Sequence, residues 1–248
     1  KSAFHDYMEQ FPAKLWHSQI KELFKILNQE PKERDKYIDE ELAAFPYVNG
    51  GLFSDIDIEI PSFSEELVRL ILDEASLGFN WSEISPTIFG AVFEATLNPI
   101  TRRSGGMHYT SISNIHKVIN PLFLDDLRQE FEEIKKRPKS DSWRTKYLKA
   151  FQEKLANMKF LDPACGSGNF LTETYLSLRR LENSVIRELN DEIMAGQLRL
   201  AVDTQALQNI KVSIMQFYGI EINDFAVTVA KTALWIAESQ MLEQTEEI

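Results

Sequence analysis

The chain has 248 residues, enough to bury a sizeable core and to form one large or two modest domains. Its 44% hydrophobic and 26% charged residues are typical of a globular protein, and it contains neither a bilayer-spanning apolar run nor a secretory signal. The formal net charge of −11 argues against a general DNA-wrapping protein, and the single cysteine excludes an internal disulfide and favours a cytoplasmic location.

The first part of the chain has helical periodicity and no residues at catalytic or metal-ligand spacing. Apolar residues recur every three or four positions after Pro12, and residues 31–45 predict a second, more charged helix. Ser64 is expected to cap a third helix, and Pro86 lies near the start of a fourth. We therefore predict a mostly α-helical spacer without a metal site.

Residues 101–111 are rich in glycine and hydroxyl groups, which predicts a loop before the next helix. Such a loop can present backbone N–H groups to a carboxylate, although a plain capping loop at Ser111 or Ser113 fits the sequence equally well. Pro121 should kink or divide the helix that follows. Basic and aromatic residues alternate over 128–149, but acids dilute them, so a solvated helical hairpin is favoured over a phosphate-binding surface.

Residues 159–171 read Lys-Phe-Leu-Asp-Pro-Ala-Cys-Gly-Ser-Gly-Asn-Phe-Leu, and the rest of the chain is organised around them. A short strand ends at Asp162, and Gly166 and Gly168 permit positive φ before an amphipathic helix. This pattern predicts a strand–turn–helix unit in which a helix N-terminus faces a ligand. Cys165 at that position could have a lowered pKa, but no base accompanies it, so a small residue in a tight turn is favoured.

A second strand is predicted over residues 212–221 and ends in Glu221, 59 residues after Asp162 (221 − 162). Because this separation exceeds a minimal strand–helix unit, we expect an additional helix near residues 195–208. A right-handed crossover places both carboxylates at one edge of a parallel sheet, where the second acid typically accepts hydrogen bonds from ribose hydroxyls. Asn223 or Asp224 should then cap the last helix.

The glycine turn is incompatible with two common phosphate-binding motifs. Leu171 stands where the dinucleotide fingerprint requires a third glycine, and no Gly-Lys-Ser/Thr follows as in a Walker loop. An acid-led turn suits instead a ligand without pyrophosphate that carries a sulfonium and an amino group. The residues therefore favour S-adenosylmethionine as the ligand.

Residues 161–171 resemble the first S-adenosylmethionine motif of adenine-N6 DNA methyltransferases, and residues 218–223 resemble their ribose-binding motif. Residues 106–110, Gly-Met-His-Tyr-Thr, match the loop that contacts the methionine end of the cofactor in the gamma-ordered group. The longer stretches 88–94 and 105–124 are similar to the MmeI-like branch of single-chain type II restriction–modification enzymes. In that branch a helical spacer joins a nuclease to the methyltransferase.

This resemblance implies that the full protein flips an adenine out of double-stranded DNA and methylates N6 as part of a restriction–modification system. The catalytic Asn-Pro-Pro-aromatic tetrad is expected downstream, because Asn98-Pro99-Ile100 lacks its second proline and aromatic residue. The cofactor-binding residues implied are His108, Tyr109, Thr110, Asp162, Ala164, Cys165, Gly166, Gly168, Asn169, Phe170, Glu221 and Ile222.

The predicted fold class is α/β, with a helical spacer over residues 1–104 and the first part of a Rossmann-like methyltransferase domain over 105–248. The chain begins without methionine, so we expect an excised fragment that binds S-adenosylmethionine weakly and does not methylate by itself. Two alternatives stay open at this point. One is a methyltransferase that acts on RNA or protein, and the other is a non-catalytic assembly module with a decayed cofactor fold.

Overall fold

A computed structural model describes residues 3–48, 53, 57–89, 110–138, 142–195, 210–246 and 248. The chain divides into two compact units, residues 1–83 and residues 84–248. The predicted domain boundary between residues 104 and 105 lies outside the described residues and stays a prediction. None of the helices in the described ranges combines the length and apolar character that a membrane crossing requires.

The unit of residues 1–83 is built from short helices around one apolar core. Trp16, Leu23 and Ile26 of the second helix are almost fully buried, which confirms the helix predicted after Pro12. Ser64 accepts a hydrogen bond from Leu67 N at 3.2 Å and caps the fourth helix, as predicted. The described helices are α1 Ala3–Met8, α2 Ala13–Leu27, α3 Glu40–Ala43 and α4 Glu65–Arg69, which continues as a π-helical segment over Leu70–Leu77.

The helix predicted over residues 31–45 is wrong as a single element. A 3-10 turn at Pro31–Glu33 and the short helix α3 replace it, with extended backbone at Arg34 between them. The Arg34 guanidinium donates hydrogen bonds to the carbonyl oxygens of Ala43 and Phe45, at 2.6 and 2.8 Å. These contacts fold the segment back on itself, which a continuous helix cannot do.

The unit of residues 84–248 contains two parallel strands and several longer helices. The strands are β1 Phe160–Asp162 and β2 Phe217–Gly219, which pair with Phe160 opposite Phe217 and Asp162 opposite Gly219. Parallel strands connected by helices confirm the predicted α/β class. Besides helical residues 86–89, the described helices are α5 Ile112–Ile119, α6 Asp125–Lys135, α7 Ser142–Asn157, α8 Asn169–Ala195 and α9 Asp224–Glu246.

The second strand is shorter than the predicted range of 212–221. Ser213 caps a 3-10 turn at Ile214–Gln216, and only the three residues of β2 are extended and paired. The Gln216 side chain donates to the carbonyl oxygens of Leu155 and Met158, both at 2.8 Å. Because this amide donates hydrogen bonds to carbonyl groups at the end of α7, the turn is held in place and the strand begins after it. The additional helix expected near residues 195–208 falls almost entirely outside the described residues.

Pro121 lies where the helical stretch is divided into α5 and α6. The chain passes through a π-helical segment, Asn120–Leu124, between α5 and α6. The wider turn accommodates a residue that has no N–H to donate, so the prediction of a kink or division is confirmed in this form.

Aromatic packing beneath the sheet positions the turns that follow each strand. The rings of Phe160 and Phe217 stack with centroids 5.2 Å apart, and Tyr175 of α8 meets Phe217 edge-on at 5.5 Å. Since Phe160 and Phe217 are register partners, this cluster fixes both strands against α8. The carboxyl ends of β1 and β2 are thereby held side by side.

Candidate functional site

The candidate site consists of the two turns that leave the carboxyl ends of β1 and β2. Ile220 N donates to Asp162 O at 2.9 Å, and Cys165 N donates to Ile220 O at 3.1 Å. The backbone pairing therefore continues beyond both strands and into the turns. This continuation brings the glycine turn and the turn at Glu221 together.

The Glu221 carboxylate links these two turns directly. One oxygen accepts a hydrogen bond from Gly166 N at 3.0 Å, and the other accepts from Ile222 N and Asn223 N at 2.8 and 2.9 Å. The Asp162 carboxylate accepts from Ala164 N at 3.0 Å within its own turn. Both acids therefore lie at the same edge of the sheet, which confirms the predicted arrangement.

The glycines of the turn differ in what surrounds them. Gly166 has φ of +53°, and apart from its two chain neighbours no described residue lies within 4 Å of the position that a Cβ would occupy. Gly168 has φ of +77°, and its Cβ would lie only 2.8 Å from Ala230 Cβ on α9. Gly168 is therefore required for helix packing, whereas the space beside Gly166 is open to a ligand.

Cys165 is a packing residue and not an activated nucleophile. Burial, and then the negative charges of Asp162 and Glu221, raise the pKa of its thiol above the ordinary value. This direction agrees with the favoured prediction of a small residue in a tight turn. A Cβ on Gly219 would lie 2.6 Å from Cys165 Sγ, so the thiol already fills the space beside the last residue of β2.

The first turn of α8 places Asn169 and Phe170 beside the glycine turn. Asn169 is 7% exposed, and its buried Oδ1 has no hydrogen-bond partner among the described residues. The hydroxyl of Thr172, one turn into the helix, is also buried and has no hydrogen-bond partner in the described part of the chain. Such unsatisfied polar atoms are uncommon in proteins and are consistent with a polar ligand at this end of α8.

The remaining predicted residues lie at the edges of the site or beyond the described ranges. Ile222 is 94% exposed and follows Glu221 directly, so its apolar side chain is available to a ligand. Thr110 lies two residues before α5, whose Ile115 and Ile119 pack against Phe170. His108 and Tyr109 lie outside the described residues.

Two residues near this site were not singled out from the sequence. Glu173 of α8 is 3% exposed, and one of its carboxylate oxygens lies 3.0 Å from His116 Nε2 on α5. No motif or spacing indicated this pair, because 57 residues separate its members. The sequence offered one signal for Glu173, which is an acidic residue at a position that falls on the buried face of an amphipathic helix.

The donor set can hold a cofactor that carries hydroxyl and cationic groups. A carboxylate has about four lone-pair positions, and the three N–H donors on Glu221 leave about one for a ligand hydroxyl. Asp162 adds negative charge beside the open space at Gly166, which suits a cationic group. The residues therefore fit S-adenosylmethionine, the ligand expected from the sequence.

A group that could hold the methyl acceptor is not evident in the described part of the chain. Asn120-Pro121-Leu122-Phe123 has the order of an Asn-Pro-x-aromatic motif. However, the ring of Phe123 packs against Phe160 with centroids 5.1 Å apart, inside the core. Phe123 is therefore unable to stack on a base.

Two sequence families match this chain. Residues 131–248 match the family described as the MmeI DNA-methyltransferase domain, and residues 1–53 match the MmeI helicase spacer domain. DNA methyltransferase A of Bacillus subtilis (strain 168) is 44% identical over 223 residues, which are 90% of this chain and 23% of that protein. A Methanocaldococcus jannaschii protein, whose name combines a type II restriction enzyme with a methyltransferase, is 26% identical over 262 residues, 90% of this chain and 21% of its own length.

Similarity in three dimensions extends along the whole chain. The solved structure of the type IIL restriction–modification enzyme MmeI in complex with DNA matches 100% of this chain at 39% identity, with a TM-score of 0.81. The chain spans 31% of that protein, and 21–23% of the two curated relatives. The chain therefore belongs to the MmeI-like family, with residues 1–53 in its spacer domain and residues 131–248 in its DNA-methyltransferase domain.

Proposed function

We propose that the full-length protein is a site-specific DNA methyltransferase that transfers a methyl group from S-adenosylmethionine to adenine N6 in duplex DNA. The turns after β1 and β2 hold the methyl donor. The observation that carries this proposal is the Glu221 carboxylate bonded to Gly166 N beside an open space at the carboxyl edge of a parallel sheet. Ligands of open α/β folds bind at such an edge.

The proposed roles follow from the chemistry of each group. Glu221 accepts a hydrogen bond from a ribose hydroxyl through its remaining lone pair, while its bonds to three N–H groups keep it oriented. Asp162 attracts the positive charge of the donor, and Ile222 offers an exposed apolar surface for the adenine ring. The bound cofactor supplies an electrophilic methyl group on its sulfonium.

We propose the same cofactor role for the rest of the predicted set. Thr110 and the neighbouring His108 and Tyr109 would contact the methionine end, as the resemblance of residues 106–110 implies. The other members of the set are Ala164, Cys165, Gly166, Gly168, Asn169 and Phe170. The domain division at residues 104 and 105 belongs to the same proposal.

Double-stranded DNA is the proposed partner, and a restriction–modification system is the proposed setting. The names of the relatives and the DNA-bound state of the MmeI structure support both. Adenine as the target rests on the motif resemblance, and the groups that orient it would come from an Asn-Pro-Pro-aromatic motif outside these 248 residues. A cytoplasmic location follows, since the enzyme has to reach its DNA.

Calorimetric titration of the full-length protein with S-adenosylmethionine tests the cofactor site. Glu221→Ala should weaken binding by about tenfold or more, because a hydrogen bond to a charged group is lost. Glu130→Ala on the exposed surface of α6 is the control and should bind as the wild type does. The absence of binding heat in the wild-type protein would contradict the proposal.

A second measurement identifies the acceptor. Duplex DNA incubated with methyl-labelled S-adenosylmethionine should, after digestion, yield labelled N6-methyladenine in mass spectrometry. Label in cytosine would contradict the adenine assignment. Label in RNA or protein alone would favour the alternative substrate class.

A further inference from the structure

Glu173 of α8 is a buried carboxylate that contacts two other parts of the chain and a residue of its own helix. One carboxylate oxygen accepts from His116 Nε2 on α5 at 3.0 Å, and the other accepts from the Thr87 hydroxyl at 3.4 Å. Arg180, two turns further along the same face of α8, lies 3.5 Å from the first oxygen and remains 55% exposed. Glu173 therefore joins residues 86–89, α5 and α8.

Burial of a carboxylate is unfavourable unless hydrogen bonds and opposite charge compensate it. Since Glu173 is 3% exposed, its partners have to remain in place for the folded state to tolerate the charge. His116 is held at both ring nitrogens, because Nδ1 lies 2.9 Å from Asn120 Oδ1 in the π-helical segment. Two contacts therefore orient the imidazole, and the one with Glu173 joins α5 to α8.

An apolar contact reinforces the same packing. Ile115 and Ile119, which flank His116 on α5, are 0% and 3% exposed and pack against Phe170 at the start of α8. Polar and apolar contacts thus hold α5 against the first two turns of α8. Any other position of α5 against α8 would break both the polar and the apolar contacts.

The contact between His116 and Glu173 holds the start of α5 beside the start of α8, and both helix starts adjoin residues of the proposed cofactor site. Thr110 precedes α5 with only Ser111 between them, so the position of the helix determines that of Thr110. The glycine turn leads directly into α8, whose Asn169 lies one helical turn before Glu173. We propose that Glu173, acting through His116, is a positioning residue that aligns Thr110 with the glycine turn for binding of the methyl donor.

This inference rests on the proposed function, and calorimetry on the full-length protein with S-adenosylmethionine tests both separately. His116→Ala should weaken binding by about 2- to 30-fold, the range for residues that act without touching the ligand. His116→Gln retains an N–H donor toward Glu173 and should restore most of the affinity. Glu173→Gln, which keeps the acceptor for Thr87 and loses the charge, should give an intermediate affinity.

Thr245→Val is the matched control. It removes a buried hydroxyl that bonds Arg179 and Asn183 farther along α8, and therefore loosens the same helix away from α5. Thermal unfolding should show that Thr245→Val and His116→Ala lower the melting temperature alike, whereas only His116→Ala loses affinity. If His116 had only a structural role, the affinity would follow the melting temperature in the same way in both variants.

The outcomes distinguish the two proposals. Wild-type binding of S-adenosylmethionine together with unchanged affinity in folded His116→Ala would overturn the positioning role and leave the proposed function standing. Equal loss of affinity in Thr245→Val would also overturn it, since any loosening of α8 would then suffice. No binding by the wild-type protein would overturn the proposed function and this inference with it. If Glu173→Gln does not fold, the comparison of His116→Ala with His116→Gln decides the question.

Discussion

At the scale of single residues, the glycine turn shows that neighbouring glycines serve different purposes. Gly166 and Gly168 both have positive φ, which L side chains rarely adopt. Only Gly168 is also enclosed, with Ala230 of α9 in the space that a Cβ would need. Backbone conformation explains the first glycine, and close helix packing is an additional reason for the second.

Alanine substitutions at these two positions should therefore differ in stability. Gly166→Ala should cost about 1–2 kcal/mol from left-handed backbone alone. Gly168→Ala should cost about 1–3 kcal/mol more, because the added methyl overlaps Ala230. Urea unfolding of the two variants measures the difference, and equal losses would show that α9 yields at this contact.

The thiol of Cys165 should be unreactive at neutral pH. Burial and two nearby carboxylates raise its pKa, so the thiolate forms only at a pH above the ordinary value for cysteine. The folded state favours the neutral thiol, and the stability from this group is complete below the unfolded pKa and is lost as pH rises through the raised folded pKa.

Alkylation of the peptide that contains Cys165, followed by mass spectrometry over a range of pH, tests this expectation. The native protein should react more slowly than the urea-unfolded protein near pH 8.5, the ordinary thiol pKa being about 8.5. Native alkylation that is as fast as in the unfolded state would contradict the raised pKa.

At the scale of elements, predicted capping residues precede three helices, and two of them make a capping bond. Asn223 Oδ1 accepts from Ala226 N at 3.1 Å at the start of α9, as predicted. The Ser64 hydroxyl accepts from Leu67 N at the start of α4. Ser111 occupies the corresponding position before α5, yet its hydroxyl lies 3.1 Å from Ser113 Oγ and makes no capping bond. The preference of serine for helix starts predicts the position, whereas the rotamer depends on the neighbours.

Ser64→Ala should accordingly destabilise the protein by about 1 kcal/mol through the loss of a helix cap. Ser111→Ala should leave the free energy of unfolding nearly unchanged, because no backbone N–H loses its acceptor. Chemical denaturation monitored by circular dichroism compares the two variants. A larger loss for Ser111→Ala would contradict the contacts described for both serines.

At the scale of the whole molecule, each of the two units has its own apolar core. In the unit of residues 84–248, a buried polar network also connects the helices. Arg179 of α8 pairs with Glu182 and donates to Thr245 of α9 at 2.7 Å. Glu182 also accepts from Val212 N and from the Gln152 amide of α7, at 3.2 and 2.9 Å. One ion pair thus connects three helices to the segment that leads into β2.

Glu182→Gln should lower the free energy of unfolding by about 3–5 kcal/mol, since it leaves the Arg179 charge buried without its partner. Glu153→Gln is the control. Its ion pair with Lys211 is exposed, so the variant should unfold at almost the wild-type urea concentration. Similar midpoints for both variants would contradict the importance of the buried pair.

Local features of the sequence were sufficient to predict the glycine turn, the position of the two acids and the α/β class. These depend on backbone sterics within a few residues and on the connection between parallel strands, both of which are written in consecutive positions. Gly166 and Glu221 lie 55 residues apart, yet the strand order alone was enough to bring them to one edge.

Other features depend on contacts that only the tertiary structure decided. The helix predicted over residues 31–45 is divided because Arg34 bonds to carbonyl groups of Ala43 and Phe45. The strand at β2 is short because Gln216 satisfies the end of α7, and Glu173 meets His116 across 57 residues. Such contacts have no periodicity or motif, since they arise from which side chains meet when helices pack. The sequence by itself therefore determined what the glycine turn is made of, and the packing of α5, α8 and α9 determined what holds it in position.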